Sequence, residues 1–268
     1  MAVAPVEKKP SLQSLERGLA VIQVFSREHP ALTVSEVARL TGITRATARR
    51  ILLTLEELGH VRSDGRLFSL TPRVLALGWA YLSSLNLWDI AQPLTEELVE
   101  KTGESSSIAT LDLPDIVYVT RVPTRRIMTI ALRVGSRLPA HATSMGRVLL
   151  ADLPADELDR FLAQTPLERF TEHTITDPDR LREVLAEVRA QGWALVDQEL
   201  ELGLRSIAAP IRRADGQTFA ALNVSAPTVR VSVEELRTRF LPLLLETAEL
   251  VSTSLARQSA SGRSAAWR

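Results

Sequence analysis

The chain has no cysteine among its 268 residues. That absence excludes disulfides, thiolate nucleophiles and cysteine-ligated zinc. Histidine is scarce too: His29, His60, His141 and His173 are the whole supply, with no HExxH frame and no i,i+4 pair. No metal and no cofactor are therefore expected. The phosphate loops GxGxxG and GxxxxGK[ST] are missing, as is the GxSxG nucleophile elbow. His141 and Ser144 stand three residues apart in one expected loop, which is no catalytic triad. An enzyme is not expected. Long apolar runs are also absent: no stretch approaches the roughly 20 residues of a membrane span. The opening MAVAPVEKKPS has neither an apolar core nor a cleavage site. The expectation is a cytoplasmic protein with no membrane partner.

A net charge is lacking as well, because Lys+Arg and Asp+Glu number 32 each. The balance conceals a division. Residues 1–82 hold 11 Lys+Arg against 7 Asp+Glu, a net of +4; residues 83–268 hold 21 against 25, a net of −4. A length of 268 residues allows two domains with separate cores, and 45% apolar and 24% charged content are those of a globular chain.

The positive part contains TVSEVARLTGITRATARRILLTLEELGHVRSDGRLFSL, residues 33–70. Thr33 followed by Glu36 makes a capping box. Val34, Val37, Ala38 and Leu40 give the first helix an apolar side, Gly42 suits the residue after a helix end, and Thr44 caps the next helix. In that second helix Ala48, Ile51, Leu52, Leu55 and Leu58 form one stripe. The opposite side carries Arg45, Ala46, Thr47, Arg49 and Arg50. Two short strands, His60–Arg62 and Leu67–Leu70, flank a Ser63-Asp64-Gly65 turn, with Arg62 and Arg66 on this wing. An arginine face over a packed underside is what entry into a DNA major groove requires. The DNA-binding candidates are Thr33, Thr44, Arg45, Thr47, Arg49, Arg50, Arg62 and Arg66.

A helix over about Ser14–Arg27, with Leu15, Leu19, Ile22 and Phe25 inward, completes a winged helix-turn-helix domain at residues 11–71. Thr71-Pro72 opens a linker helix over residues 72–86, whose apolar surface calls for a partner subunit. The remaining domain spans residues 87–257. It is predicted to hold a helix at Trp88–Lys101 and strands at Ser106–Leu111, Ile116–Arg121 and Met128–Leu132. Helices at Ser144–Ala151, Ala155–Leu162 and Pro178–Gln191 follow, then strands at Trp193–Val196, Ser206–Arg212 and Ala220–Ser225. Ser232 and Glu235 cap a final helix to about Arg257. The fold class is α+β, an antiparallel sheet flanked by helices. Residues 1–10 and 258–268 read as disordered tails.

One binding constellation stands out. PAHATSMGR, residues 139–147, runs from a small-residue loop into a helix start near Ser144, where free amides suit a carboxylate. Ser206, Asn223 and Ser225 interrupt otherwise apolar strands, and Asn223 and Ser225 share a face. Buried polar groups need partners, and a ligand is one, with water or backbone the alternative.

The residues resemble the IclR family of bacterial transcription regulators over positions 11–257. The marks are SLERGLAVIQVF, the hairpin at 33–61, Thr71–Gly78, LPAHATSMGRVLLA and LGLRSIAAPI. Residues 121–154 are similar to the narrower PcaR, PcaU and PobR type, regulators of protocatechuate, 4-hydroxybenzoate and β-ketoadipate catabolism. The resemblance implies a GAF-like effector domain and dimers that pair into tetramers. Implied partners are operator DNA, a small carboxylic acid and a second copy of the chain, with RNA polymerase a further one. It implies a pocket formed by His141, Thr143, Ser144, Met145, Gly146, Asp197, Leu204, Ser206, Asn223 and Ser225. Ser206 replaces a common cysteine and Asn223 a common serine, which argues against glyoxylate- or pyruvate-type ligands. Two alternatives remain: a regulator of a different pathway, or a hydrolase-like enzyme with a DNA-binding appendage.

Overall fold

The computed structural model describes residues 12–84, 87–124 and 132–265. The chain divides into two compact units, one ending at Tyr81 and one beginning at Leu82.

The first unit holds α1 (Gln13–Gln23), α2 (Val34–Thr41), α3 (Arg45–Glu57), β1 (Val61–Ser63) and β2 (Phe68–Leu70). Thr33 closes the expected capping box: its hydroxyl accepts from the Glu36 amide at 3.3 Å, and the Glu36 carboxylate accepts from the Thr33 amide at 2.8 Å. Gly42 follows α2 at φ 67°, a left-handed conformation that costs other residues more. Thr44 then accepts from the Thr47 amide to start α3. Val21, Leu32, Val37, Ala38, Ala48, Leu52, Leu55, Val61 and Phe68 form the core. The wing is an antiparallel pair, Val61 opposite Leu70, and Phe68 also bridges Leu32 through both backbone hydrogen bonds. The Asp64 carboxylate accepts from the Arg66 and Leu67 amides and sets the turn.

Three expectations need correcting here. The first helix ends at Gln23 and buries Val21, leaving Leu15 and Leu19 exposed. Leu58 sits one residue past α3, so the helical stripe no longer governs it, and it is exposed. The linker segment begins as a 3-10 turn, Pro72–Val74, before α4 (Leu75–Ser84). Leu75, Leu77, Trp79 and Tyr81 are exposed along it.

The second unit is built on a six-stranded antiparallel sheet in the order β5-β4-β3-β8-β7-β6. The strands are β3 (Ser105–Asp112), β4 (Asp115–Val122), β5 (Arg137–Pro139), β6 (Ala194–Asp197), β7 (Leu204–Arg212) and β8 (Thr218–Pro227). One face packs on α5 (Trp88–Thr102) and on the final helix, through Ile108, Ile207, Val224, Leu236, Phe240 and Leu244. The other packs on α6 (Ser144–Ala151), α7 (Ala155–Gln164) and α8 (Pro178–Gln191), through Ala109, Ala208, Ala221, Met145, Leu150, Leu181 and Leu185. Alternate residues of each strand therefore serve two separate cores. The final helix begins as α9 (Val233–Glu235), passes through a π-helical stretch, Leu236–Phe240, and continues as α10 (Leu241–Ala265). The α+β architecture is as the sequence implied. The stretch from residue 258, read as a tail, is helical through Ala265. The strand expected at Met128–Leu132 lies outside the described residues except for Leu132, and residues 1–10 lie wholly outside them. Strand β5 had no counterpart in the sequence reading. No described helix is long and apolar enough to cross a membrane.

Candidate functional site

On α3 the buried positions Ala48, Leu52 and Leu55 fix which side faces out. Arg45, Arg49 and Arg50 are exposed on that side, and among the described residues none of the three forms an ion pair. Thr47 is half-buried and its hydroxyl lies 2.9 Å from that of Thr44. Thr44 and Thr33 are thus engaged as helix caps. Thr33 also donates to the Glu36 carboxylate at 2.8 Å. Arg62 and Arg66 are exposed on the wing, and Arg62 donates to the Ser69 hydroxyl at 3.3 Å. The arrangement is a cationic helix backed by a rigid core, suited to a polyanion.

The second unit contains a cavity of about 210 Å³ between the sheet and α6. Its position follows from how α6 is started. The Thr143 hydroxyl accepts from the Gly146 amide at 3.1 Å, and every residue of α6 is buried. Gly146 sits so close to Ala140 that a Cβ would lie 2.1 Å from its carbonyl oxygen, so only glycine allows this approach. The first turn of α6 thereby faces the sheet at β7, where the Ser144 and Ser206 hydroxyls meet at 2.9 Å.

Of the predicted pocket residues, Thr143, Ser144, Met145, Leu204, Ser206, Asn223 and Ser225 line this cavity. His141, Gly146 and Asp197 do not. His141 belongs to the 3-10 turn Ala140–Ala142; its Nε2 lies 3.0 Å from the Glu168 carbonyl and its ring packs on Phe170. Burial holds its pKa below the ordinary value, with the Glu168 carbonyl opposing. Gly146 serves the helix approach just described. Asp197 is held by Arg205 at 3.0 and 3.3 Å. Ser144 and His141 are bonded to different partners, so they form no nucleophile–base pair.

The sequence reading missed Tyr118, Arg121, Leu132, Leu138, Val196 and Arg230, all of which line the cavity. Burial pushes the Tyr118 phenol up to about 12, so it stays protonated. Arg121, half-buried, is shifted below its ordinary value by desolvation, with Tyr118 opposing. Arg230 is clamped by the buried Glu104 at 2.7–3.1 Å. The loop between β6 and β7 supplies the opposite wall with Leu200, Glu201, Leu202 and Gly203. It is tied to α6 by a buried ion pair between Arg147 and Glu199. Arg147 Nε also donates to the His141 carbonyl at 3.0 Å, and the Glu199 carboxylate accepts from the Ile175 amide at 3.1 Å.

Fold and sites together define a winged-helix DNA-binding unit joined to a unit that encloses a small polar-floored cavity. Comparison with known proteins gives the same division. Residues 14–65 match the IclR helix-turn-helix domain, and residues 79–253 match the bacterial transcriptional regulator IclR C-terminal domain. The chain belongs to the IclR family of bacterial transcriptional regulators. It is 49% identical over 235 residues to the Pca regulon regulatory protein of Pseudomonas putida, covering 87% of this chain and 81% of that one. It is 40% identical over 242 residues to the p-hydroxybenzoate hydroxylase transcriptional activator of Acinetobacter baylyi, covering 88% and 89%. Among solved structures, an IclR homologue from Microbacterium hydrocarbonoxydans complexed with 4-hydroxybenzoate superposes with a TM-score of 0.80. Its identity is 28%, with 91% of this chain and 99% of that chain covered.

Proposed function

We propose that this protein is a sequence-specific regulator of aromatic acid catabolism whose operator affinity is set by a small carboxylic acid in the cavity of its second unit. The outward arginine face of α3 carries the DNA half of this reading. Arg45, Thr47, Arg49 and Arg50 approach base edges and phosphates, while Arg62 and Arg66 add wing contacts. The cavity carries the other half: an acid group sits at the first turn of α6, near Ser144 and Ser206, where amide donors and the helix dipole favour negative charge. The apolar part of the ligand lies against Met145, Leu138 and Leu204. Protocatechuate, 4-hydroxybenzoate and β-ketoadipate fit this description, and the named relatives and the 4-hydroxybenzoate complex favour that group over simple 2-oxo acids.

Leu15 and Leu19 of α1 and Leu75, Leu77, Trp79 and Tyr81 of α4 are exposed apolar residues of the first unit. A second copy of the chain covers these residues, which also gives the two recognition helices that a palindromic operator needs. The ligand shifts the balance between two arrangements of the dimer only by as much as its affinity differs between them. RNA polymerase is a further partner when the regulator is bound upstream of a promoter.

Two measurements test the reading. The first is a gel shift with DNA upstream of the protein's own gene, repeated across salt concentrations; binding should fall steeply as salt rises. The second is a thermal-shift panel of protocatechuate, 4-hydroxybenzoate, β-ketoadipate and pyruvate. An acid at 100 times its dissociation constant should add about 2.7 kcal/mol of stability. No shift with any of the first three refutes the effector assignment.

A further inference from the structure

Strand β4 breaks its alternation where it borders the cavity. Ala109 of β3 pairs with Tyr118, but its neighbour Ile108 pairs with Thr120, so Val119 is an extra residue on β4. Such a bulge re-aims the side chains on either side of it. Tyr118 and Arg121 stand three apart, a spacing that a regular strand sends to opposite faces, yet both line the cavity. Arg121 joins a polar row across the floor, in which Ser107 on β3 lies opposite it and opposite Asn223 on β8. Tyr118 lies outside that row. Its ring belongs to the apolar cluster of Ala109, Ile116, Ala140 and Met145.

The polar groups of the row and of α6 are engaged. Ser144 meets Ser206 at 2.9 Å, and Asn223 holds the Ser107 amide and the Ser225 hydroxyl, each at 3.0 Å. Arg121 donates to the Ser107 hydroxyl at 3.5 Å. By contrast, the Tyr118 phenol makes no hydrogen bond among the described residues, although the residue is only 4% exposed. Described side-chain atoms that are both sealed and unpartnered occur at His60, Gln92 and Thr218, not at Tyr118. Its oxygen therefore opens onto the space the ring lines, which is the cavity. The backbone at Tyr118 is fixed on both sides: it pairs with β3, donates to the Ser136 carbonyl at 3.0 Å and accepts from the Gly135 amide at 2.7 Å. The phenol is held in place before any ligand arrives.

That placement sets a condition on what fills the cavity. A ligand that displaces water from the phenol must replace its hydrogen bond, because a buried hydroxyl without a partner costs more than the bond is worth. Burial pushes the phenol up to about 12, with Arg121 opposing, so at neutral pH it is a donor. Its surroundings choose the kind of oxygen. A carboxylate there would bring about four acceptor sites and a charge to one phenol among apolar side chains. A ketone or hydroxyl oxygen carries no charge and is served by one bond. Tyr118 is also three strands from Ser206, about 14 Å between backbones. It meets a different part of the ligand from the acid group at the first turn of α6.

We propose that Tyr118 is a specificity-determining residue of the cavity: its hydroxyl reads an uncharged oxygen, a ring hydroxyl or a ketone, and rejects acids that lack one. This rests on the reading of the cavity as the effector site, and adds to it the residue that tells an oxygenated acid from its plain counterpart.

Isothermal titration of the full chain with two matched pairs tests it: 4-hydroxybenzoate against benzoate, and β-ketoadipate against adipate. The members of each pair differ by one uncharged oxygen. In the pair it binds, the unaltered protein should favour the oxygenated member about 10- to 100-fold, the cost of stranding a buried hydroxyl. Tyr118→Phe keeps the ring and removes the hydroxyl, and its melting temperature without ligand reports whether it is folded. In that variant the preference should vanish, with the oxygenated member weakened and its counterpart bound as before or better. Equal losses for both members would show a structural role and overturn the proposal. So would a preference that survives in Tyr118→Phe, or an unaltered protein that binds both members alike. If none of the four acids binds, the effector reading of the cavity fails and this inference with it; binding that ignores the oxygen sinks this inference alone.

Discussion

Replacing Glu199 with glutamine should cost the second unit more than its small chemical change suggests. The Arg147 and Glu199 side chains retain only 3% and 9% of their exposure. Glutamine keeps the shape and can still accept from the Ile175 amide, but it removes the negative charge. Arg147 is then left buried with its hydrogen bond to the His141 carbonyl and no counter-ion. Stranding one member of a buried pair costs about 3–5 kcal/mol. For a unit of this size each kcal/mol lowers the melting temperature by about 2–4 °C, so the drop should be roughly 6–20 °C. Circular dichroism melts at neutral pH provide the assay. The reasoning makes a second demand. In Arg147→Met/Glu199→Leu both charges are gone, so the double variant should be more stable than Glu199→Gln, because two neutral apolar groups are cheaper to bury than one unpaired charge. If Glu199→Gln melts within about a degree of the unaltered protein, the pair is not the buried contact described. If the double variant loses the sum of the single losses, the stranded charge is not the cause.

Other perturbations reach the remaining parts. Arg49→Ala should cost about 1–3 kcal/mol in operator affinity at its matching base pair and reduce the salt dependence of binding, measured by fluorescence anisotropy; unchanged affinity and slope would exclude α3 from the groove. Gly146→Ala drives a methyl group into the Ala140 carbonyl. Overpacking there should cost about 1–3 kcal/mol or more and, by pushing α6 off the sheet, abolish ligand-induced thermal shifts; a silent substitution would mean the helix can move freely. His141 has a folded pKa below its ordinary value of 6.5 because of burial. The unfolded chain therefore takes up the proton first, so His141 removes stability as pH falls from 6.5 toward the folded pKa and has no effect at pH 8. Urea melts of His141→Gln should show a shallower stability loss than the unaltered protein across that window, and identical slopes would refute it.

Much of the fold is written in local signals. Helices α6 and α8 begin where Thr143 and Asp177 accept from first-turn amides, and α8 ends where Gly192 takes the left-handed conformation, as the sequence places them. The capping box at Thr33 and the turn at Asp64 are equally local. Errors arise where apolar residues serve two surfaces. In α1 the spacing of Leu15, Leu19 and Ile22 makes a credible inward stripe, yet the core takes Val21 and packs Ile22, Val24 and Phe25 against it. The leucines then lie on the outer side. A periodicity measured on one chain cannot separate a stripe that meets its own core from one that meets another surface. Strand β5 was invisible for another reason: three residues hold no period, and its pairing with Asp115–Val117 becomes evident only once β4 is placed.

The candidate site divides along the same line. Asn223 and Ser225 were readable as a pair because two residues of one strand share a face whatever the strand is paired with. Ser144 was readable because a helix start advertises its donors. Arg121 carried no such mark. It sits in a strand with other polar residues near it, and its partners in the row are reached through Ser107 and then Asn223, a hydrogen bond spanning 116 positions in sequence. That distance is closed only by the register of β3 with both its neighbours. His141 is the converse case, since it stands inside the most legible motif of the domain, yet the 3-10 turn before α6 aims its ring at Phe170 and the Glu168 carbonyl. Motif position thus reports which backbone segment borders the cavity, while cross-strand register reports which charges look into it. A β4 residue such as Arg121 can therefore line the cavity beside Ser107 and Asn223 although no local pattern announces it.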